Sequence, residues 1–223
     1  MPALQKTRGI VFRFTRYGET SIIVTIFTEQ FGLQSYIVNG VWGRSSRKQL
    51  ALFQPLTLLD MVVYYRENAP ILRIKEVKCI HAYQTLDRDI RKSAIAMFLT
   101  EVINRTVKDQ SQAEELGCFL IDSLIALDKS SKPENFHLIF MLKLSRYLGF
   151  GAQSNDEVLD GWPLDNGHAR SLQALLAADY STVVPLTGAS RRILLDSILH
   201  FYAIHADNFG EIKSVSVLKE MFN

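Results

Sequence analysis

Arg44, Arg47 and Lys48 crowd into the stretch Asn39–Gln49, N-G-V-W-G-R-S-S-R-K-Q, which has no acidic residue and one tryptophan, Trp42. Cations grouped in this way displace the counterions condensed on a nucleic-acid backbone, and an exposed ring offers a base a stacking surface. The ordinary counterpart is a solvated Gly/Ser loop with a short charge run. The chemistry these residues offer is binding, without bond making or breaking.

Catalytic and metal-binding patterns are missing. Cys79 and Cys118 are the only cysteines, too few for a four-cysteine zinc site, and they read as inert thiols. His200 and His205 are five positions apart, which on a helix separates them by about 140° around the axis, so they read as packing residues. Ser45-Ser46-Arg47-Lys48 has the S-x-x-K spacing but no S-D-N or K-T-G companion. Gly149-Phe150-Gly151 follows a helical pattern and lacks the third glycine of a dinucleotide fingerprint. Asp156, Glu157, Asp160 and Asp165 share a loop without calcium-loop spacing. We expect no catalytic residues, no metal and no cofactor.

The basic stretch lies between apolar runs with β-type residues. Strands are expected at Lys6–Phe14, Thr20–Thr28, Phe31–Val38, Phe53–Tyr65 and Ile71–Ile80, with Ile22, Val24 and Ile26 sharing one face of the second. Five strands in so short a length fit a Greek-key barrel of the OB type, with an SH3-like barrel as a competitor. Alternation sets Arg13 opposite Ile10, Phe12 and Phe14, and Arg73 with Lys75 opposite Leu72 and Ile74. These cations point outward, where they could join the basic loop.

After Tyr83 the period becomes helical. Helices are expected at Asp87–Lys108, Gln112–Lys129, Glu134–Leu148, His168–Ala178, Ser190–Ala206 and Val215–Phe222, with an acidic loop at Phe150–Gly167. The third, apolar nearly all round, should be the most buried, with Gly149 as its stop. The expected fold is α+β in two domains: a five-stranded OB-type barrel at 1–82 and an all-helical domain at 83–223. Residues 1–82 hold 11 Lys+Arg against 5 Asp+Glu, and 83–223 hold 14 against 18, so a basic module precedes an acidic one. The first residues, M-P-A-L-Q-K-T-R-G, have no apolar signal core, and no apolar run reaches membrane-spanning length. A cytoplasmic protein is the expectation.

The opening K-T-R-G-I-V-F-R-F-T-R-Y-G-E-T-S-I-I-V-T-I-F-T-E-Q-F-G-L (Lys6–Leu33), the basic loop, L-F-Q-P-L-T-L-L-D (Leu52–Asp60) and L-K-L-S-R-Y-L-G-F (Leu142–Phe150) resemble the RecO family of bacterial recombination mediators. The resemblance implies an OB-fold domain followed by a helical one. It also implies binding of single- and double-stranded DNA, annealing of complementary strands, and action with RecR in loading RecA onto DNA coated by single-strand-binding protein (SSB). Many members carry a four-cysteine zinc motif after the L-G-[FY] step, but Phe150–Gly167 has no cysteine, so no zinc is expected. Lys213-Ser214-Val215 departs from the family's basic-Ser-Arg step.

On this reading Arg44, Arg47 and Lys48 grip phosphates, helped by Lys6, Arg8, Arg13, Arg16, Arg73 and Lys75, while Trp42 or Tyr64 stacks a base. Lys143, Arg146, Arg191 and Arg192 are candidates for docking the acidic tail of SSB. The expected place of work is the cytoplasm, at the nucleoid. The rival classes are a protein-binding adaptor and an RNA-binding OB protein.

Overall fold

The computed structural model describes residues 2–41, 47–108 and 112–222, apart from the side chains of Arg47 and Lys48. Trp42 and Arg44 lie outside the described residues. Five strands, β1 (Ala3–Tyr17), β2 (Ser21–Thr28), β3 (Gly32–Val38), β4 (Leu58–Tyr65) and β5 (Leu72–Cys79), close into a barrel in the order β1-β2-β3-β5-β4. Eight helices are described: α1 (Arg47–Ala51), α2 (Ile90–Thr106), α3 (Ala113–Lys129), α4 (Phe136–Tyr147), α5 (Asn155–Leu159), α6 (Asn166–Ala177), α7 (Gly188–His205) and α8 (Val215–Met221). Among the described residues no helix is long and apolar enough to cross a membrane.

The chain divides into two compact units, Met1–Tyr83 with Val107–Ile125, and Gln84–Thr106 with Ala126–Asn223. Each is thus built from two separate stretches of chain.

In the first unit, β1 serves both ends of the barrel. Its first half pairs with β4 (Ala3 opposite Tyr65 through Ile10 opposite Leu58), and its second half with β2 (Gly9 opposite Thr28 through Tyr17 opposite Ser21). A register shift between Val11 and Arg13 marks the change, and the resulting β-bulge bends the strand. Gly9 is required at the crossing: a Cβ there would lie 2.7 Å from Ile26 Cγ2 and 2.9 Å from the Phe27 carbonyl. Val11, Ile22, Val24, Ile26, Tyr36, Leu59, Met61, Val63 and Leu72 fill the interior.

Two sequence expectations are corrected. The long strand expected at Phe53–Tyr65 begins only at Leu58. Residues 47–51 form α1, the chain then turns (Phe53 N–Leu50 O 3.1 Å, Thr57 N–Gln54 O 3.1 Å), and Leu56 has φ 67. Phe53 and Leu56 are apolar because they are buried at 1% and 2% exposure, and Phe53 belongs to the barrel core. An apolar run does not separate a strand from such a turn. The acidic loop at 150–167 likewise holds α5, with Ser154 capping its first turn and Val158 fully buried.

In the second unit, α4 is buried along Phe136–Leu142 and at Leu144 and Ser145, which matches its unbroken apolar pattern. The buried Asp128 carboxylate accepts the successive backbone N–H groups of Gln84 (3.0 Å), Thr85 (2.8 Å) and Leu86 (3.0 Å). Lys92, equally buried, donates to Thr85 Oγ1 at 2.6 Å and to the Asp128 carbonyl at 2.7 Å. These bonds fix the segment that leads into α2.

Candidate nucleic-acid interface

Because the side-chain period along a strand is two, the barrel register determines which residues meet on its outer surface. One outward row crosses the strands. Leu4 faces Tyr64, Tyr64 faces Arg73, Arg73 neighbours Ile37, Ile37 faces Ile23, and Ile23 faces Thr15. The next row on one side is Arg13, Thr25 and Ser35. Leu4 is 50% exposed, Tyr64 39%, and Ile23 and Ile37 are half-buried. Arg13 and Arg73 are exposed and have no ion pair among the described residues. The described chain leading into the basic stretch ends at the same edge of this surface. Val41 donates to the carbonyl of Thr20 in the β1–β2 turn at 2.8 Å, and Ser21 Oγ bonds Asn39 Oδ1 at 3.0 Å.

The cations expected to act as one cluster are divided by the bend in β1. Lys6 and Arg8 point outward on the β4 side, in register with Val62 and Asp60, whereas Arg13 lies on the β2–β3 side. Lys6 and Lys78 share one carboxylate oxygen of Asp60, at 3.7 and 3.1 Å. Arg8 is committed to Glu29, Nε–Oε2 2.8 Å and Nη2–Oε1 2.6 Å, and its pKa is raised, first by that hydrogen bond. Lys75 does not share the facing pattern of Arg73. The β4–β5 register shifts there, leaving Lys75 without a cross-strand partner, and it pairs with Glu76 at 3.8 Å. Arg16 is exposed opposite the inward Ile22, so it follows the inward parity at the barrel's end. Arg47 and Lys48 begin α1, a helix rather than the loop expected from the Gly/Ser content.

Sequence reading missed Ile23, Ile37, Leu4 and Lys78. Ile23 and Ile37 sit in runs apolar on both faces, so alternation gave no outward signal. Only the closure of the barrel sets them beside Arg73.

In the helical unit, the proposed docking cations differ in how far they are engaged. Arg191 donates to Asn135 Oδ1 (3.0 Å), the Phe222 carbonyl (3.3 Å) and the Leu186 carbonyl (3.3 Å), and lies 5.6 Å from the Phe222 ring centre. Burial pushes its pKa down, against the opposing pull of Glu134. Arg146 donates to the Leu176 carbonyl at 3.1 Å, and Lys143 stands 6.0 Å from the Tyr180 ring centre. Arg192 is half-buried. The four do not rim one open groove. A groove of about 800 Å³ does exist in this unit, lined by Phe136, Tyr180, Val183, Lys129, Lys132 and Arg191. Phe136 and Tyr180 stack at 4.2 Å on its wall, and Val183 is 69% exposed.

Among the described residues no group of three or more His, Cys, Asp or Glu could hold a metal. In the region of the family's zinc motif, Asp165 caps α6 and pairs with His168 Nδ1 at 2.6 Å, and Trp162 lies 4.5 Å from the His200 ring. His205 stacks on Phe150 at 5.6 Å. With no cysteine in Phe150–Gly167, this donor set does not fit zinc.

The fold defines an α+β class in which an OB-type barrel precedes a helical region. Residues 1–83 match the family described as Recombination protein O N terminal, and residues 87–174 match Recombination protein O C terminal. The chain belongs to the RecO family of DNA repair and recombination proteins. It is 31% identical to the DNA repair protein RecO of Flavobacterium psychrophilum over 98% of this chain and 99% of that protein. The identity is 32% with the DNA repair protein RecO of Phocaeicola vulgatus and 32% with that of Bacteroides fragilis, each over 99% of this chain and 100% of the relative.

Proposed function

We propose that this protein is a non-catalytic mediator of recombinational repair, working in the cytoplasm at the nucleoid. It binds single- and double-stranded DNA, anneals complementary strands, and with RecR helps load RecA onto SSB-coated DNA. The observation that carries this reading is the family match across both units, joined to a barrel surface on which Arg13 and Arg73 stand exposed with no ion pair among the described residues. Phosphate contacts hold a strand without reading its sequence, so the bases stay free to pair, which is what annealing needs. Arg44, Arg47 and Lys48 extend the grip from the adjoining stretch. In the helical unit the groove beside Phe136 and Tyr180, with Lys129, Lys132 and Arg191 among its lining residues, suits an acidic, aromatic-ended tail.

The test is annealing of complementary labelled oligonucleotides, bare and SSB-coated, by wild type and by the Arg44/Arg47/Lys48→Ala triple. Wild-type acceleration that the triple loses supports the mediator. Absence of acceleration by wild type on either substrate, with no binding at low salt, leaves a protein-docking barrel instead.

A further inference from the structure

Arg191 belongs to two neighbouring cavities of the helical unit. It lines the groove with Phe136 and Tyr180, and it lines a second, small cavity with His137, Leu195, Leu218 and Phe222. Its guanidinium is half-buried, and among the described residues every acceptor it has is neutral: Asn135 Oδ1 at 3.0 Å, and the carbonyls of Phe222 and Leu186 at 3.3 Å each. Both carbonyl contacts are longer than the usual N–H···O range of about 2.7–3.2 Å. Glu134, the only acid among the described residues lining the groove, is bonded to Arg91 at 3.0 Å. Arg191 is thus a partly desolvated cation with no carboxylate bonded to it, and burial holds its pKa down. A carboxylate in the groove would bond it bidentately and supply the opposite charge.

Phe222 holds the other side of Arg191. Its carbonyl accepts from Nη1, its ring centre lies 5.6 Å from the guanidinium, and the ring stacks on His137 at 5.8 Å. The two ends of α8 are anchored unequally. Before its first residue, Glu101 accepts from Lys213 N (2.9 Å), Ser214 N (2.9 Å) and Ser214 Oγ (2.8 Å). Its far end rests on the Lys219–Asp196 pair at 2.6 Å, on buried Leu218 and on Phe222.

We propose that Phe222 is an internal competitor for the groove: an acidic peptide that draws Arg191 to its carboxylate releases Phe222 and the last turn of α8. The proposal rests on the docking reading above and adds a regulator to it. Linkage makes the effect reciprocal. The factor by which loss of the Phe222 contact tightens peptide binding is the factor by which the peptide favours release.

The experiment pairs fluorescence anisotropy of a labelled Asp-Glu-Asp-Phe peptide with hydrogen exchange at residues 215–222. Wild type should bind the peptide, and Lys129→Ala with Lys132→Ala should weaken that binding. Phe222→Ala should bind it about threefold to tenfold tighter, the scale of one hydrogen bond. In an Arg191→Gln background Phe222→Ala should make no difference, because the contended group is gone. In wild type, saturating peptide should speed exchange at 215–222, and a neutral Asn-Gln-Asn-Phe amide should not. Unchanged or weaker peptide binding by Phe222→Ala overturns the proposal, as does equal tightening in the Arg191→Gln background. Exchange that the acidic peptide leaves unchanged or slows also overturns it, and this measurement needs no variant to fold. In each of these cases the docking reading survives. Wild type that does not bind the peptide, or binds it regardless of Lys129 and Lys132, removes that reading and the proposal with it.

Discussion

Tyr64 and Arg73 face each other across the β4–β5 pair, both directed out of the barrel, and Arg73 meets Ile37 of β3 on its other side. The β3–β5 contact is short, two register pairs only, Tyr36 with Leu72 and Ile37 with Arg73. Barrel closure thus sets Arg73, which has no ion pair among the described residues, beside half-exposed apolar side chains from three strands.

The two groups of barrel cations should differ in their response to salt. Contact with about four phosphates of a single strand predicts a log–log slope near −3 for wild type. Arg13→Ala with Arg73→Ala removes two cations that have no ion pair among the described residues and should bring the slope to about −1.5. Lys6→Ala with Arg8→Ala should change it less, because Glu29 offsets the charge of Arg8 and Asp60, shared with Lys78, offsets part of that of Lys6. Binding isotherms across a salt series decide this, and equal effects of the two doubles would contradict the division.

Asp128 should be among the most costly single residues to lose. Its buried carboxylate satisfies three consecutive backbone amides, and Lys92 sits buried beside it. Asp128→Ala strands those donors and should cost about 3–5 kcal/mol. Asp128→Asn keeps one acceptor oxygen and should cost less. Urea unfolding measures both, with the midpoint shifted and the slope unchanged.

His137 makes stability depend on pH. It is buried between Phe98, 6.0 Å away edge-on, and Phe222, stacked at 5.8 Å, and its Nδ1 has no hydrogen-bond partner among the described residues. Burial first, then Arg191, pushes its pKa down to about 3. The unfolded chain takes up this proton near pH 6.5, whereas the folded chain resists it until about pH 3. Between those values the unfolded state binds more protons, so stability falls as pH falls, by up to about 1.4 kcal/mol per pH unit from this group. His137→Leu should flatten that part of the stability–pH curve, read from unfolding free energies between pH 7 and pH 4.

Any side chain at Gly117 should be destabilising. A Cβ there would lie 2.8 Å from Glu29 Cγ and 3.3 Å from its Cα, at the point where α3 meets the β2–β3 turn. Alanine improves helix propensity by about 1 kcal/mol, but crowding against the backbone costs about 1–3 kcal/mol. Gly117→Ala should therefore lower the melting temperature by a few degrees, seen by calorimetry. Gly161→Ala is a useful contrast. It has open space around it and φ +83, so any loss there comes from backbone strain alone.

Local pattern determined much of this protein. Runs of β-branched and aromatic residues set five strands, and the change to a 3.6-residue period set the helices. These features are local, so a few neighbouring residues specify them. Where a run is apolar on both faces, local pattern loses its discriminating power. Phe53 and Leu56 looked like strand and proved to be buried turn residues, and Ile23 and Ile37 gave no sign of facing out. The grouping of charges was also beyond the sequence. The bulge at Phe12 bends β1 so that Arg8 and Arg13, five positions apart, serve different faces, while Arg73 reaches Ile37 from 36 positions away. Such neighbourhoods depend on barrel closure and register, which belong to the whole sheet and to no single segment.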